Sequence, residues 1–253
     1  PYTTLFRSDL LTILHLIPHD VGDEMTTESK TDLEFSGKYD DTHARAYFEK
    51  HQDGLWRQLS NWRDHQVARK ALSLAGEPQT VLDVPCGTGR FWSLLCEQPQ
   101  RQIFASDYSQ HMINTGMRYR DKAITDRVET FQSSAFSLDV PDNFVENIFC
   151  IRLIHHIGDA QDRLALLKEF HRVTQKTVII SLWVDGNFKA WRRKKLEKKR
   201  HARDYQNRFV INQQTIENEF RQSGFEIKAA IDFLPKYAMW RTYVLEKQDS
   251  VLA

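Results

Sequence analysis

The run Val81-Leu82-Asp83-Val84-Pro85-Cys86-Gly87-Thr88-Gly89-Arg90 has the residue types and spacing of a ligand-binding turn. A short apolar run carries an acid, Asp83, near its end. A turn holding Gly87 and Gly89 follows, and then a helix-like stretch, Phe91 to Cys96. An apolar run entering a Gly turn presents backbone N–H groups and a helix N-terminus to a ligand. Asp83 would repel a pyrophosphate there, but it suits a cationic or amine-bearing ligand. No Gly-Lys-Ser/Thr follows, so the turn is not a phosphate-cradling P-loop. Seventeen residues after Arg90, Asp107 closes a second strand-like run, Gln102–Ser106. A carboxylate at that point can take both hydroxyls of a ribose.

Elements that alternate must position these groups. Strand-like runs at Thr80–Val84, Gln102–Ser106, Val128–Gln132, Val145–Ile151 and Thr177–Trp183 are interleaved with helical patterns at Phe91–Cys96, Ser109–Tyr119 and Ala160–Val173. Such alternation predicts an α/β fold, a parallel sheet with helices on both faces. Upstream, Tyr39 to Asp53 reads as a short helix. Leu55 to Ala75 reads as a longer amphipathic one with Leu55, Leu59, Trp62, Val67, Ala71 and Leu74 on one face, stopped by Gly76-Glu77-Pro78. Downstream, a helix over Asn212–Gln222 leads to two strand-like runs, Phe225–Leu234 and Met239–Glu246, which predict a terminal hairpin. Ligands of open α/β sheets bind outside the carboxyl ends of the strands, so the residues after each strand are the candidates.

The Gly turn and the acid closing the second strand resemble the Asp-x-Gly-x-Gly-x-Gly signature of the class I S-adenosylmethionine (SAM)-dependent methyltransferases. An NAD-binding Rossmann turn uses a similar Gly pattern, but Asp83 ahead of the turn favours the methyltransferases. Pro85 stands where the first Gly is usual; it fixes φ and lacks an N–H, so the turn should be stiffer there. The resemblance covers about residues 35–247. It implies a Rossmann-like, seven-stranded, mostly parallel sheet with a C-terminal antiparallel hairpin, and SAM as cofactor. It implies that Pro85, Cys86, Gly87 and Gly89 approach the amino-acid part of SAM, while Asp83 helps to hold its ammonium. Asp107 would take the ribose hydroxyls and Tyr108 would lie against the adenine. Ser134 and Ala135 would read the adenine edge, where many members carry Asp at the Ser134 position. Arg152 would touch the SAM carboxylate or orient an anionic acceptor. The pair His155-His156 resembles the segment common in small-molecule methyltransferases of the ubiquinone-biosynthesis type. It falls where methyl donor and acceptor meet, and either His could act as general base. Tyr39 and Tyr47 fall in the region that closes over SAM in related enzymes.

Hydrophobic content of 41%, charged content of 27% and a net charge of +1 are ordinary for a globular enzyme and give no global field toward nucleic acid. Cys86, Cys96 and Cys150 have no metal-ligand spacing and fit a reducing, cytoplasmic setting. No run reaches the length of a transmembrane helix. Residues 1–24 are expected to be a leader of non-native or untranslated-region origin, with 1–8 matching a translated sequencing adapter and Met25 as the start. Residues 25–54 are expected to form a lid or extension, and 55–247 the catalytic domain with a basic insertion at 186–208. Within it, residues 189–203 hold nine basic residues against one acid, Glu197, beside Phe188 and Trp191. That segment reads as a solvated helical face or as a surface for an anionic membrane or acidic substrate.

Absent motifs narrow the chemistry. No Asn/Asp-Pro-Pro-Tyr/Phe follows the fourth strand, no Lys-Asp-Lys-Glu set is visible, and no Cys pair suits a pyrimidine adduct. The expected function is therefore methyl transfer from SAM to a small or lipid-linked, anionic acceptor, with no metal. The rivals are an RNA methyltransferase, disfavoured because the charge is one short segment, and a non-catalytic SAM-binding protein.

Overall fold

Seven strands form one sheet in the order β3-β2-β1-β4-β5-β7-β6. The structure, a computed structural model, describes residues 55–197 and 208–248. The expected leader 1–24, the lid 25–54 with Tyr39 and Tyr47, and residues 198–207 of the basic segment lie outside the described residues.

The strands are β1 (Thr80–Asp83), β2 (Gln102–Asp107), β3 (Val128–Gln132), β4 (Val145–Ile151), β5 (Thr174–Trp183), β6 (Phe225–Asp232) and β7 (Trp240–Lys247). The first five pair in parallel, and β7 inserts antiparallel between β5 and β6, with Trp183 opposite Trp240. This is the mostly parallel seven-stranded sheet with a terminal antiparallel hairpin. The ends of β1 to β5 and the β6–β7 loop therefore gather at one edge.

The helices are α1 (Leu55–Leu74), α2 (Trp92–Leu95), α3 (Gln110–Tyr119), α4 (Lys122–Thr125), α5 (Ala160–Val173), α6 (Phe188–Glu197) and α7 (Gln213–Gln222). Side-chain caps fix several starts. Ser109 accepts from the Met112 N–H, Asp159 from the Gln161 and Asp162 N–H groups, and Asn212 from the Thr215 N–H. The sheet's pleat divides the core. Val81, Ile103, Ala105, Phe149, Ile179 and Val244 pack with α1, α2 and Ile113 of α3 in one cluster. Residues next to them in sequence, such as Leu82, Ile148 and Ile180, are fully buried on the other side of the pleat.

The expected face of α1 is corrected by the structure. Leu59, Trp62 and Leu74 are exposed, while Val67, Ala68, Ala71 and Leu72 are buried. The helix is turned because Asn61 and Asp64 hydrogen-bond to Arg90, and that contact puts Trp62 outside. β5 also begins three residues earlier than its apolar run. Thr174 pairs with Val145 across a bulge, and its hydroxyl donates to the Glu146 and Thr177 carbonyls.

Candidate active site

The β1 turn is tied to β2 at two points. The Cys86 N–H donates to the Ser106 carbonyl (2.8 Å), and the Gly87 N–H donates to Asp107 Oδ2 (2.8 Å). Asp107 Oδ1 accepts from the Ser109 N–H (2.9 Å), so one carboxylate pins both the Gly turn and the start of α3. Gly87 and Gly89 have φ of +55° and +68°, the left-handed region. A Cβ on Gly89 would lie 2.4 Å from the Trp92 ring. The Val84–Pro85 bond is cis.

Two acids sit in this turn. Asp83 is 1% exposed and its Oδ2 has no hydrogen-bond partner. Burial pushes its pKa well up and the nearby Asp107 pushes it further, against the Trp92 indole, which pulls it down. Burial also raises Asp107, against the pull of the two backbone N–H donors. The Cys86 thiol is raised well up by burial and by both acids. A buried acid with an unpaired oxygen, beside a second acid, is electrostatically suited to a cation. Around the ribose end, Tyr108 is partly exposed and its carbonyl accepts from Gln132 Nε2 (2.8 Å). Ser134 and Ala135 are half-buried, and Ser134 Oγ accepts from the Phe136 N–H (3.3 Å).

At the end of β4 the structure adds residues that sequence reasoning missed. Asp64 Oδ2 accepts from Arg90 (2.5 Å) and from Arg152 (2.6 Å), and Arg90 Nε donates to Asn61 Oδ1 (2.9 Å). Arg152 has φ +69° and donates its N–H to Ser181 Oγ (3.0 Å). Its guanidinium lies 4.9 Å from the Trp240 ring centroid. A positive φ at a bulky residue is a strained state held by its surroundings. A pocket opens here, lined among others by Asp64, Phe91, Arg152, Ser181, Phe233 and Trp240. Nothing in the sequence marks Asp64; it is one acid on an amphipathic helix.

The two histidines occupy a single 3-10 turn, Ile154–His156. His155 is 3% exposed, and its Nδ1 has no hydrogen-bond partner. Its ring packs against His156, Trp183 and Trp240 at centroid distances of 4.0, 4.9 and 4.8 Å. Burial, then the charges of His156, Arg208, Arg152 and Arg193, bring its pKa down to about 2. His155 is therefore neutral at any ordinary pH and holds protons too weakly for a base at neutrality. His156, beside it, is half-buried. Arg193 and Arg208 lie over the Trp183 ring at 4.9 and 5.9 Å.

Residues 81–177, which contain the Gly turn, Asp107 and the His pair, match the family model described as "Methyltransferase domain". Over these residues the chain is similar to SAM-dependent methyltransferases. S-adenosyl-L-methionine is the cofactor of such domains. A demethylmenaquinone methyltransferase of Bacteroides fragilis is 26% identical over 140 residues, 54% of this chain. The match spans only 57% of that relative's length. Among solved structures, the magnesium protoporphyrin IX methyltransferase of Synechocystis PCC 6803 has the same fold. Its complex with S-adenosylhomocysteine (SAH) gives a TM-score of 0.69 at 12% identity, covering 85% of this chain and 98% of that one. Its complex with SAM gives 0.65 at 12% identity, covering 88% and 100%. Within residues 81–177, the residues brought to one edge are Asp83, Pro85 to Gly89, Asp107, Tyr108, Ser134, Ala135, Arg152 and the His pair. Tyr39 lies outside the described residues. Among the described residues, no three His, Cys, Asp or Glu side chains group as a metal site, and no helix is long and apolar enough to cross a membrane.

Proposed function

We propose that the chain transfers a methyl group from SAM to a small or lipid-linked, anionic acceptor bound at the ends of β4, β5 and β7. The observation that carries this reading is the pocket lined by Arg152, Ser181, Phe233 and Trp240, which Phe91, just past the Gly turn, also lines. The cofactor supplies a methyl on a positively charged sulfur. Asp83, with its unpaired oxygen, would face the ammonium through the turn, and Asp107 would accept from the ribose hydroxyls. Tyr108 would flank the adenine, and Ser134 with Ala135 would meet its edge. Arg90 or Arg152 would hold the carboxylate, both kept in place by Asp64.

Methyl transfer forms one bond to the acceptor as the sulfur–carbon bond breaks, and SAH leaves neutral. The chain's part is in-line positioning. His155 is too weak a base to take a proton from the acceptor, and His156 remains as the candidate for that role. An acceptor that arrives as an anion needs no base, and the positive field of Arg152, Arg193 and Arg208 at His155 favours such an acceptor. The relatives' names concern demethylmenaquinone and magnesium protoporphyrin IX, and Phe91, Phe233 and Trp240 give the pocket an aromatic lining. Free thiols at Cys86, Cys96 and Cys150 support a cytoplasmic reaction.

The test is calorimetric titration of SAM and SAH into the chain and into Asp107→Ala. Losing two charge-assisted hydrogen bonds to the ribose should weaken binding by roughly 100-fold or more. Labelled SAM with quinol and porphyrin-carboxylate acceptors then tests transfer. Absence of SAM and SAH binding by the unmodified chain would overturn the reading.

A further inference from the structure

Five large apolar side chains are exposed on two neighbouring elements at the site's edge of the sheet: Phe188, Trp191 and Leu196 on α6, and Leu234 and Tyr237 in the β6–β7 loop. Trp191, at 59% exposure, is the most open of them. The helix is anchored from behind by buried Ala190, and by Phe188 and Lys189 N–H groups donating to the Lys236 and Tyr237 carbonyls (2.9 and 3.0 Å). Phe188 stacks on Tyr237 at 5.7 Å and 11°, and lies 5.9 Å from Trp191. Lysines are interleaved with the rings. Lys189 lies over Tyr237 at 5.2 Å and Lys195 over Trp191 at 5.3 Å. Arg192, Lys194 and Lys236 add charge, and no ion pair to a carboxylate forms at any of these five cations among the described residues. The sequence continues with Lys198, Lys199, Arg200 and Arg203.

We propose that this face docks on an anionic phospholipid bilayer. Rings and aliphatic side chains set among lysines are the composition of a helix lying in a membrane interface, apolar groups at the acyl boundary and cations at the headgroups. Charge selects the partner. Two copies of this face would repel, so a self-dimer through it is disfavoured. Nucleic acid would need open ring faces for base stacking, but Phe188 and Tyr237 cover each other, and Lys189 and Lys195 lie over Tyr237 and Trp191. The edges of the rings are what remain to insert. The position matters as well. Phe233 lines the pocket, and the exposed Leu234 follows it in the same loop as Tyr237 of the docking face. A bilayer seated there would bring a headgroup to the pocket mouth. This purpose rests on the lipid-linked acceptor read above; the binding itself does not.

The experiment is flotation of the full chain with two vesicle types, phosphatidylcholine alone and phosphatidylcholine mixed with phosphatidylglycerol, at low and high salt. Binding to the anionic vesicles only, weakened by salt, is expected. The variant Lys189→Gln/Lys194→Gln/Lys195→Gln should bind them roughly 100-fold more weakly, about fivefold per cation removed. Phe188→Ser/Trp191→Ser should also lose binding. SAH affinity, measured on the same preparations, should stay at the parent value in both and show that they fold. No binding to anionic vesicles, equal binding to both vesicle types, or unchanged binding by the lysine variant would each overturn the proposal. So would tighter binding to a random RNA oligonucleotide than to vesicles. Because the readout is flotation, a failure here is distinct from a failure to bind SAM.

Discussion

Replacing His155 by Phe should flatten the acid side of the chain's stability profile. In the folded state burial and the neighbouring positive groups hold His155 at about 2, whereas in the unfolded chain its pKa is near 6.5. Above that value both states are neutral at this residue and it adds no pH dependence. As pH falls below about 6.5, the unfolded chain takes a proton that the folded chain cannot accept. Unfolding is then favoured by about 1.4 kcal/mol per pH unit until the folded value is reached. Between about pH 7.5 and about pH 4.5 this amounts to about 2.7 kcal/mol. Asp83 and Asp107, whose folded values are raised, act in the opposite direction, since a folded state that binds protons more readily is favoured as pH falls. Their contributions are common to both proteins and cancel in the comparison. Phe retains a ring between Trp183 and Trp240 and removes the titration. Urea unfolding of the two proteins at both pH values measures the double difference. Equal pH dependence in the two would refute the neutral, buried state of His155. It would also reopen a role for it as the base.

Other substitutions test the packing and the arginine pair. Gly89→Ala puts a Cβ against the Trp92 ring at a left-handed φ and should cost about 2–4 kcal/mol in urea unfolding; a wild-type midpoint would contradict the turn's geometry. Glu219→Ala leaves Arg163 buried without the carboxylate that holds it at 2.6 and 2.8 Å, and should cost about 3–5 kcal/mol by the same assay. Asp64→Ala should weaken SAH roughly tenfold or more by calorimetry, through loss of a charged hydrogen bond that positions the arginines. Unchanged SAH affinity in that variant would show that neither Arg90 nor Arg152 is oriented through it.

Periodicity was enough for most of the frame. The bounds of β3, β4 and α5 follow from the sequence because each is flanked by a strong break or cap, such as Asp159 before Ala160. Asp107 stood out in the sequence as an acid closing a strand, but its bonds to the Gly87 and Ser109 N–H groups, which tie the Gly turn to α3, could not be read there. The losses were of two kinds. Where two faces of a helix carry apolar residues, tertiary charge contacts choose between them; Leu59 and Trp62 read as core on α1, yet Asn61 and Asp64 set its rotation. Polar strand ends also hide from an apolar count. Thr174-Gln175-Lys176 extends β5 only because the Thr174 hydroxyl and the bulge opposite Val145 satisfy the backbone. Asp64 was invisible because its meaning depends on Arg90 and Arg152, 26 and 88 residues away.

That triad also constrains how the two halves of the site work together. Arg90 follows the Gly turn and Arg152 follows β4 at the pocket proposed for the acceptor, yet both donate to the same oxygen of Asp64. Sharing one carboxylate oxygen brings two largely buried guanidiniums into mutual repulsion in a low-dielectric place. A carboxylate arriving with the cofactor would reduce it. The amino-acid part of SAM would then do more than fill the turn: by sharing the load on Asp64, it would tighten the hold on Arg152. The backbone of Arg152 is already committed, at a positive φ, to pointing the guanidinium along Trp240. Cofactor binding and the shape of the acceptor pocket would thus be linked through a single carboxylate, and the acceptor should bind more tightly to the SAM-loaded chain than to the chain alone.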